Sequence, residues 1–250
     1  MGFLDRFSKD GRDARSREKN AARAINKYMQ SPDRLKALQA LRDDGSDDAL
    51  YALMKRFGMM YDKSIEDEQE KEWVFEWLIE KGATVLPALK RYMLSAESIS
   101  WPLRVLDKVI DPKEGRIDVI AAVLERHEPG YERDPTKKIQ LLTHLAGLKH
   151  PRVPPLAAPY LTDMDEGVRY AAVEALLKQG EEAAARLPLL DLMAKEESLR
   201  VRIRIADGFA DLGWTVADKR EEIEKTLPES YQLDGRAGAV HIRKKPGAKE

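Results

Sequence analysis

After Arg169 the apolar residues Ala172, Val173 and Leu176 stand at offsets of three, four and seven, and Ile205, Ala206 and Phe209 repeat those offsets after Arg202. Residues spaced this way share one face of an α-helix. Ala37 and Leu41 keep the pattern after Arg34, and Val74, Phe75 and Leu78 keep it after Lys71. Shorter apolar runs lie between these stretches: DALYALMKRF, ATVLPALKRYML, RIDVIAAVLERH, PPLAAPYL and AAARLPLLDLM, several with a proline at the start or middle. The pattern predicts a helical hairpin repeated along the chain.

Two columns of residues share one period. Glycines stand at Gly45, Gly82, Gly115, Gly147, Gly180 and Gly213, separated by 37, 33, 32, 33 and 33 residues, and most close an apolar run where a residue free to adopt positive φ can end a helix. Cations stand near the start of the helix preceding each glycine, at Arg34, Lys71, Arg104, Lys138, Arg169 and Arg202, separated by 37, 33, 34, 31 and 33 residues. Gly115 and Gly147 fit the column less well, one past its predicted helix end and one just inside it.

The segment LTDMDEGVRYAAVEALLKQG (161–180) carries an acidic turn residue, Asp163, then Val168-Arg169, then small and apolar residues to a terminal glycine; MAKEESLRVRIRIADGFADLG repeats the order with Glu196 and Arg202. This resembles a HEAT repeat of the type also found in the phycobilisome lyase-like group. YDKSIEDEQEKEWVFEWL and SISWPLRVLDKV are similar to segments of bacterial HEAT-repeat proteins. The two clear units cover 161–213, and weaker ones extend the resemblance over about 20–227. It implies an all-α solenoid of about six HEAT-like helical hairpins over 18–227, following a right-handed superhelical path. Because one hairpin cannot bury its apolar stripe alone, polar caps are expected from helices near 18–29 and 215–227. Residues 1–17 read as a flexible N-terminal segment. Residues 228–250 read as a C-terminal extension, in which Asp234-Gly235 is a turn signal between Tyr231, Leu233 and the alternating Val240, Ile242, followed by a basic tail.

Composition narrows the function classes. The 43 Lys and Arg balance 44 Asp and Glu, so no global field draws the molecule to nucleic acid or anionic lipid. There is no cysteine, which excludes disulfides, thiolate metal sites and a Cys nucleophile and fits a cytoplasmic compartment. No apolar stretch is long enough to span a bilayer, and the N-terminus, with Phe3, Leu4 and Phe7 as its apolar residues, lacks the apolar core of a signal peptide. No cofactor is implied. His127, His144, His150 and His241 show no paired zinc spacing, and no phosphate loop or nucleophile elbow is present.

The remaining polar features are candidates for recognition. In HEAT-like repeats the column cation is similar to a structural strut that pairs with the turn acid of its own or the next unit; the alternative is a groove that binds an acidic partner, for which Arg104 and Lys138 stand out because Ser98 and Tyr131 occupy the place of the acid. Trp73 and Trp77, four apart, share a helix face beside the Val74, Phe75, Leu78 stripe, and Trp101 opens the next helix of the same class. These tryptophans read either as packing between repeats or, with Arg104, as an interface anchor. Lys138, Arg169, Tyr170 and Arg204 form a second candidate surface. The acidic run Glu66, Asp67, Glu68, Glu70, Glu72 after Ser64 reads as complementing a helix N-terminus.

The reading that results is a non-catalytic scaffold or regulatory adaptor that binds another protein, with a small GTPase or its regulator as the partner class the resemblance suggests. An enzyme of the bilin-lyase kind and a HEAT-like DNA glycosylase are alternatives by fold analogy alone. The neutral charge, and the Glu70, Glu72, Glu76 and Glu80 that flank the Trp-rich helix, argue against DNA.

Overall fold

The computed structural model describes residues 9–60, 62, 64–111, 113–236 and 239–247. It is all-α apart from one C-terminal strand pair. The helices, in chain order, are α1 (Lys9–Ala24), α2 (Ser31–Asp44), α3 (Asp47–Met54), α4 (Ser64–Glu80), α5 (Leu86–Ser95), α6 (Ser100–Val109), α7 (Lys113–Leu124), α8 (Thr136–Gly147), α9 (Val153–Ala157), α10 (Glu166–Gln179), α11 (Glu182–Met193), α12 (Leu199–Leu212) and α13 (Arg220–Thr226). The order gives six successive helical pairs, α1/α2 to α11/α12, with α13 after the last.

The chain divides into two compact units, the first ending at Val119 and the second beginning at Ile120. In the first, Leu38 and Leu41 of α2, Leu53 of α3, Val74 and Leu78 of α4, Leu89 and Met93 of α5 and Leu106 of α6 are buried together in the core. In the second, Leu141, Leu142 and Leu145 of α8, Val173 and Leu176 of α10, Leu189 and Leu190 of α11 and Ile205 and Phe209 of α12 are fully buried. On α2, α4, α10 and α12 these include the stripes that the offsets of three, four and seven select.

Local chemistry sets the boundaries. Asp165 and Ser198 cap α10 and α12 by accepting from the backbone N–H of Val168 and Val201, three residues on. Gly180 and Gly213 end the same helices at φ 73° and 67°, a left-handed conformation that a side chain disfavours. The glycine column fails as a helix terminator at two places, since Gly115 lies inside α7 and Gly147 is the last residue of α8.

Two expectations about the ends change. The first eight residues, with Phe3, Leu4 and Phe7, lie outside the described residues, but 9–17 are helical rather than loose. Arg17 fastens α1 to its partner α2 through Asp44 at 3.1 Å and to α3 of the next pair through Asp48 at 3.6 Å. At the other end, β1 (Tyr231–Arg236) and β2 (Ala239–Lys244) pair antiparallel, with Leu233 opposite Ile242. Asp234 and Gly235 therefore sit within β1, not at its turn. This register gives a ladder of six residue pairs that buries Tyr231, Val240 and Ile242. Gly235 has φ 128°, and a Cβ there would lie 2.0 Å from the Ala239 carbonyl oxygen, so the glycine serves close strand approach. Within the second unit the hairpin is held to the end of the helical region by the Val216 N–H donating to the Val240 carbonyl at 2.8 Å and by the Tyr231 hydroxyl donating to Asp207 at 2.5 Å.

Candidate interaction surfaces and the charge ladder

Of the six column cations Arg34, Lys71 and Lys138 are buried, Arg169 and Arg202 half-buried and Arg104 exposed. In the second unit Lys138, only 1% exposed, donates to Asp163 Oδ2 and to the Gly130 carbonyl, both at 2.9 Å. Asp163 also accepts from the backbone N–H of Gly130 at 3.0 Å and of Asp165 at 2.9 Å. One repeat later Arg169 makes a two-pronged pair with Glu196, Nε to Oε2 at 2.7 Å and Nη2 to Oε1 at 2.8 Å, and donates to the Asp163 carbonyl. Each cation thus reaches the turn acid of the following repeat. Burial alone would raise the Glu196 carboxyl; hydrogen bonds from Arg169 and from the Ser198 backbone outweigh it and hold the group below the usual carboxylate range. Converting Asp163 to Asn removes the carboxylate hydrogen-bonded to the buried Lys138 and leaves Glu132, at 3.6 Å, as its neighbouring charge, for which we expect a loss of about 1–3 kcal/mol in urea unfolding. An unchanged midpoint would show the strut to be dispensable.

The first unit concentrates the same chemistry into a buried cluster. Glu70, 1% exposed, accepts from Arg34 Nε and Nη2, both at 2.7 Å, from Arg56 Nε at 2.9 Å and from the Ser31 hydroxyl at 3.0 Å. Arg56 donates to Asp67 at 2.6 Å, and so does Lys71 from one turn along α4. Asp67 and Glu70 are therefore not solvated complements of a helix end. Their i, i+3 spacing turns both inward, onto cations brought by α2 and by the 3₁₀ turn Lys55–Gly58. Arg56 is a member that sequence reasoning missed, because it stands in an apolar run beside Lys55, which is exposed.

Arg104 is different. Of the six column cations it alone is exposed, its side chain 48% so, with Glu72 at a loose 3.4 Å. Its guanidinium lies 4.0 Å from the ring centre of Trp101 and 4.7 Å from that of Phe75. Trp101 in turn stacks on Phe57, with ring centres 5.4 Å apart and planes 5° from parallel. Trp101, Trp73 and Trp77 are each half-buried, and Arg42 of α2 covers the Trp77 ring at 4.9 Å. The structure thus brings Trp73, Trp77, Trp101 and Arg104 onto neighbouring helices of the first unit, with cations seated on aromatic faces.

The other candidates lie in the second unit. Lys138 is sealed inside and Arg169 is committed to Glu196, so neither ammonium nor guanidinium is presented outward. Tyr170 lies under Arg200, 4.0 Å from its guanidinium, and Arg204 pairs with Glu174. Burial disfavours charge on Arg204, but the Glu174 carboxylate more than offsets it and raises the group.

Residues 119–210 match the family model of HEAT repeats. Over that span the chain is similar to HEAT repeats. No curated protein matches it. The HEAT region starts within α7 and runs through most of α12, so it contains both forward-reaching struts, Lys138–Asp163 and Arg169–Glu196. Such repeats commonly mediate protein–protein contacts. Among the described residues no helix is long and apolar enough to cross a membrane.

Proposed function

We propose that the chain is a non-catalytic scaffold that binds another protein, and that the α4–α6 face of its first unit is the contact surface. The observation that carries this reading is Arg104. The other column cations serve internal pairs or carbonyls, whereas Arg104 stands exposed on a bed of Trp101 and Phe75. An arginine held over aromatic rings has already lost much of its freedom, so pairing it with a carboxylate of a partner costs little further ordering. Trp73 and Trp77 supply adjacent half-buried aromatic surface of the kind that anchors interfaces. The partner therefore offers an acidic residue beside an apolar one. Small GTPases and their regulators, the class suggested by the HEAT resemblance, form the first panel to test.

Quantitative affinity capture from the native cell, with the wild-type chain and with Arg104→Ala or Trp77→Ala as baits, tests the proposal. A partner held through this face should be retained by the wild type and bind either variant about thirtyfold more weakly, the equivalent of roughly 2 kcal/mol, while melting temperatures stay together. Partners retained equally by all baits would place the contact elsewhere. A steep loss of stability in Trp77→Ala would make that residue core.

A further inference from the structure

The second unit carries a groove that none of the preceding residues uses. It lies between the end of α7 with its following loop and the α9 segment, encloses about 300 Å³, and is floored by Leu124, Leu156 and Tyr160. Pro129, Pro155 and Pro159 form its walls and Glu125 and Glu128 its rim. The chemistry of this lining is one-sided. Proline has no backbone N–H to offer. The Tyr160 hydroxyl is turned inward, donating to the His127 carbonyl at 2.8 Å and the Leu124 carbonyl at 3.2 Å, so the groove meets the ring and not the hydroxyl. Both rim carboxylates are exposed and form no hydrogen bond or ion pair with the described residues. Arg126, the cation between them in sequence, does not line the groove. What remains is an apolar floor with negative acceptors at its edge and no donors from its prolines or its tyrosine. The local field agrees, since Tyr160 is pushed up to about 12 by burial and then by the carboxylates of Asp163, Glu128 and Glu132.

We propose that this groove binds a basic segment of a partner protein that carries one apolar anchor residue. The anchor packs between Leu156 and the proline rings, where its own donors are not required. Flanking Lys or Arg side chains supply the donors that the lining lacks and pair with Glu125 and Glu128. The volume suits one large side chain and part of the backbone that bears it. This surface is separate from the α4–α6 face and would take a segment of opposite charge.

Three fluorescein-labelled five-residue peptides test the inference against the full-length protein by anisotropy: Lys-Arg-Phe-Arg-Lys, the same peptide with Gly in place of Phe, and Glu-Glu-Phe-Glu-Glu. The cationic Phe peptide should bind saturably and more weakly as salt is raised, with the other two at least about tenfold weaker. Glu125→Lys combined with Glu128→Lys should cut that binding by a similar factor without moving the melting temperature, because both side chains are exposed. In NMR spectra the peptide should shift the amides of 121–128 and 156–160. Equal binding of the Gly peptide would reduce the effect to diffuse charge attraction and overturn the proposal. So would affinity indifferent to the charge reversal, or no binding at all. If binding appeared only after removal of residues 1–8, the chain's own Phe3–Phe7 segment would be the occupant and the partner reading would fall.

Discussion

Replacing Glu70 by Gln destabilises the first unit by about 3–5 kcal/mol, because it removes the carboxylate shared by Arg34 and Arg56, both fully buried, and leaves Asp67 as the carboxylate still paired with Arg56. The loss is larger than that of an exposed ion pair, since neither arginine can recover water in place of its partner. Urea unfolding measures it. The same carboxylate gives the wild type an acid-sensitive step. Burial alone would raise the Glu70 carboxyl, but the hydrogen bonds and charges of Arg34 and Arg56 bring it below its ordinary value. A group whose folded pKa is depressed stabilises the fold fully above its unfolded pKa, about 4.3 for Glu, and loses that contribution as pH falls through this value to the folded one. Wild-type stability should therefore drop across that window, and Glu70→Gln should flatten the drop. A variant as stable as the wild type at pH 7 would show the cluster to be electrostatically neutral to folding.

Placing a carboxylate in the stripe of α10 should be as damaging. Val173 and Leu176 are both fully buried, and no cation is hydrogen-bonded or stacked at either position, so Val173→Asp or Leu176→Asp must either bury an unpaired charge or protonate it. Either route costs about 3 kcal/mol or more, a fall of roughly 6–12 °C in melting temperature for a chain of this size. An unchanged transition in both variants would put the stripe at the surface and refute the helix register on which the repeat rests. Recovery of Val173→Asp at acid pH would identify desolvation of the charge as the cause.

That register was legible because it is local. Offsets of three, four and seven after Arg169 and Arg202 depend only on helix geometry, and the ends of α10 and α12 depend on one glycine each that reaches positive φ. The struts were legible in kind, as cations meeting turn acids, but not in every partner. Tyr131 stands where the acid of its own repeat would be expected to serve Lys138; its neighbour Glu132 lies 3.6 Å from the ammonium, but the carboxylate that hydrogen-bonds it, Asp163, lies 25 residues further on. The sequence shows the spacing of charges and not which of them the fold turns inward. Arg56 makes the point plainly: Lys55 and Arg56 are adjacent, and one is solvated while the other is fully buried. The hairpin shows a local signal overruled. Asp-Gly is a strong turn dipeptide, but pairing Leu233 with Ile242 and burying Tyr231 needs a longer ladder, and the fold uses Gly235 for strand contact instead.

Among the cations, Arg104 and Lys138 stand out alike in the sequence because Ser98 and Tyr131 replace the turn acid, yet the fold exposes the first and buries the second. The aromatic bed beneath Arg104 needs Phe57, Phe75 and Trp101 from three separate segments to converge, a juxtaposition that no spacing rule encodes.

The forward reach of the struts also makes the second unit a gauge of its own length. Lys138 and Arg169 meet their acids 25 and 27 residues ahead, and the two acids, Asp163 and Glu196, stand in equivalent turns. Excising one whole period between them would set Lys138 against Glu196 and restore an internal pair. Excising any fraction of a period would strand an ammonium or a carboxylate in the interior. Gene rearrangements that add or remove complete repeats therefore pass this electrostatic filter, while those that shift the phase do not.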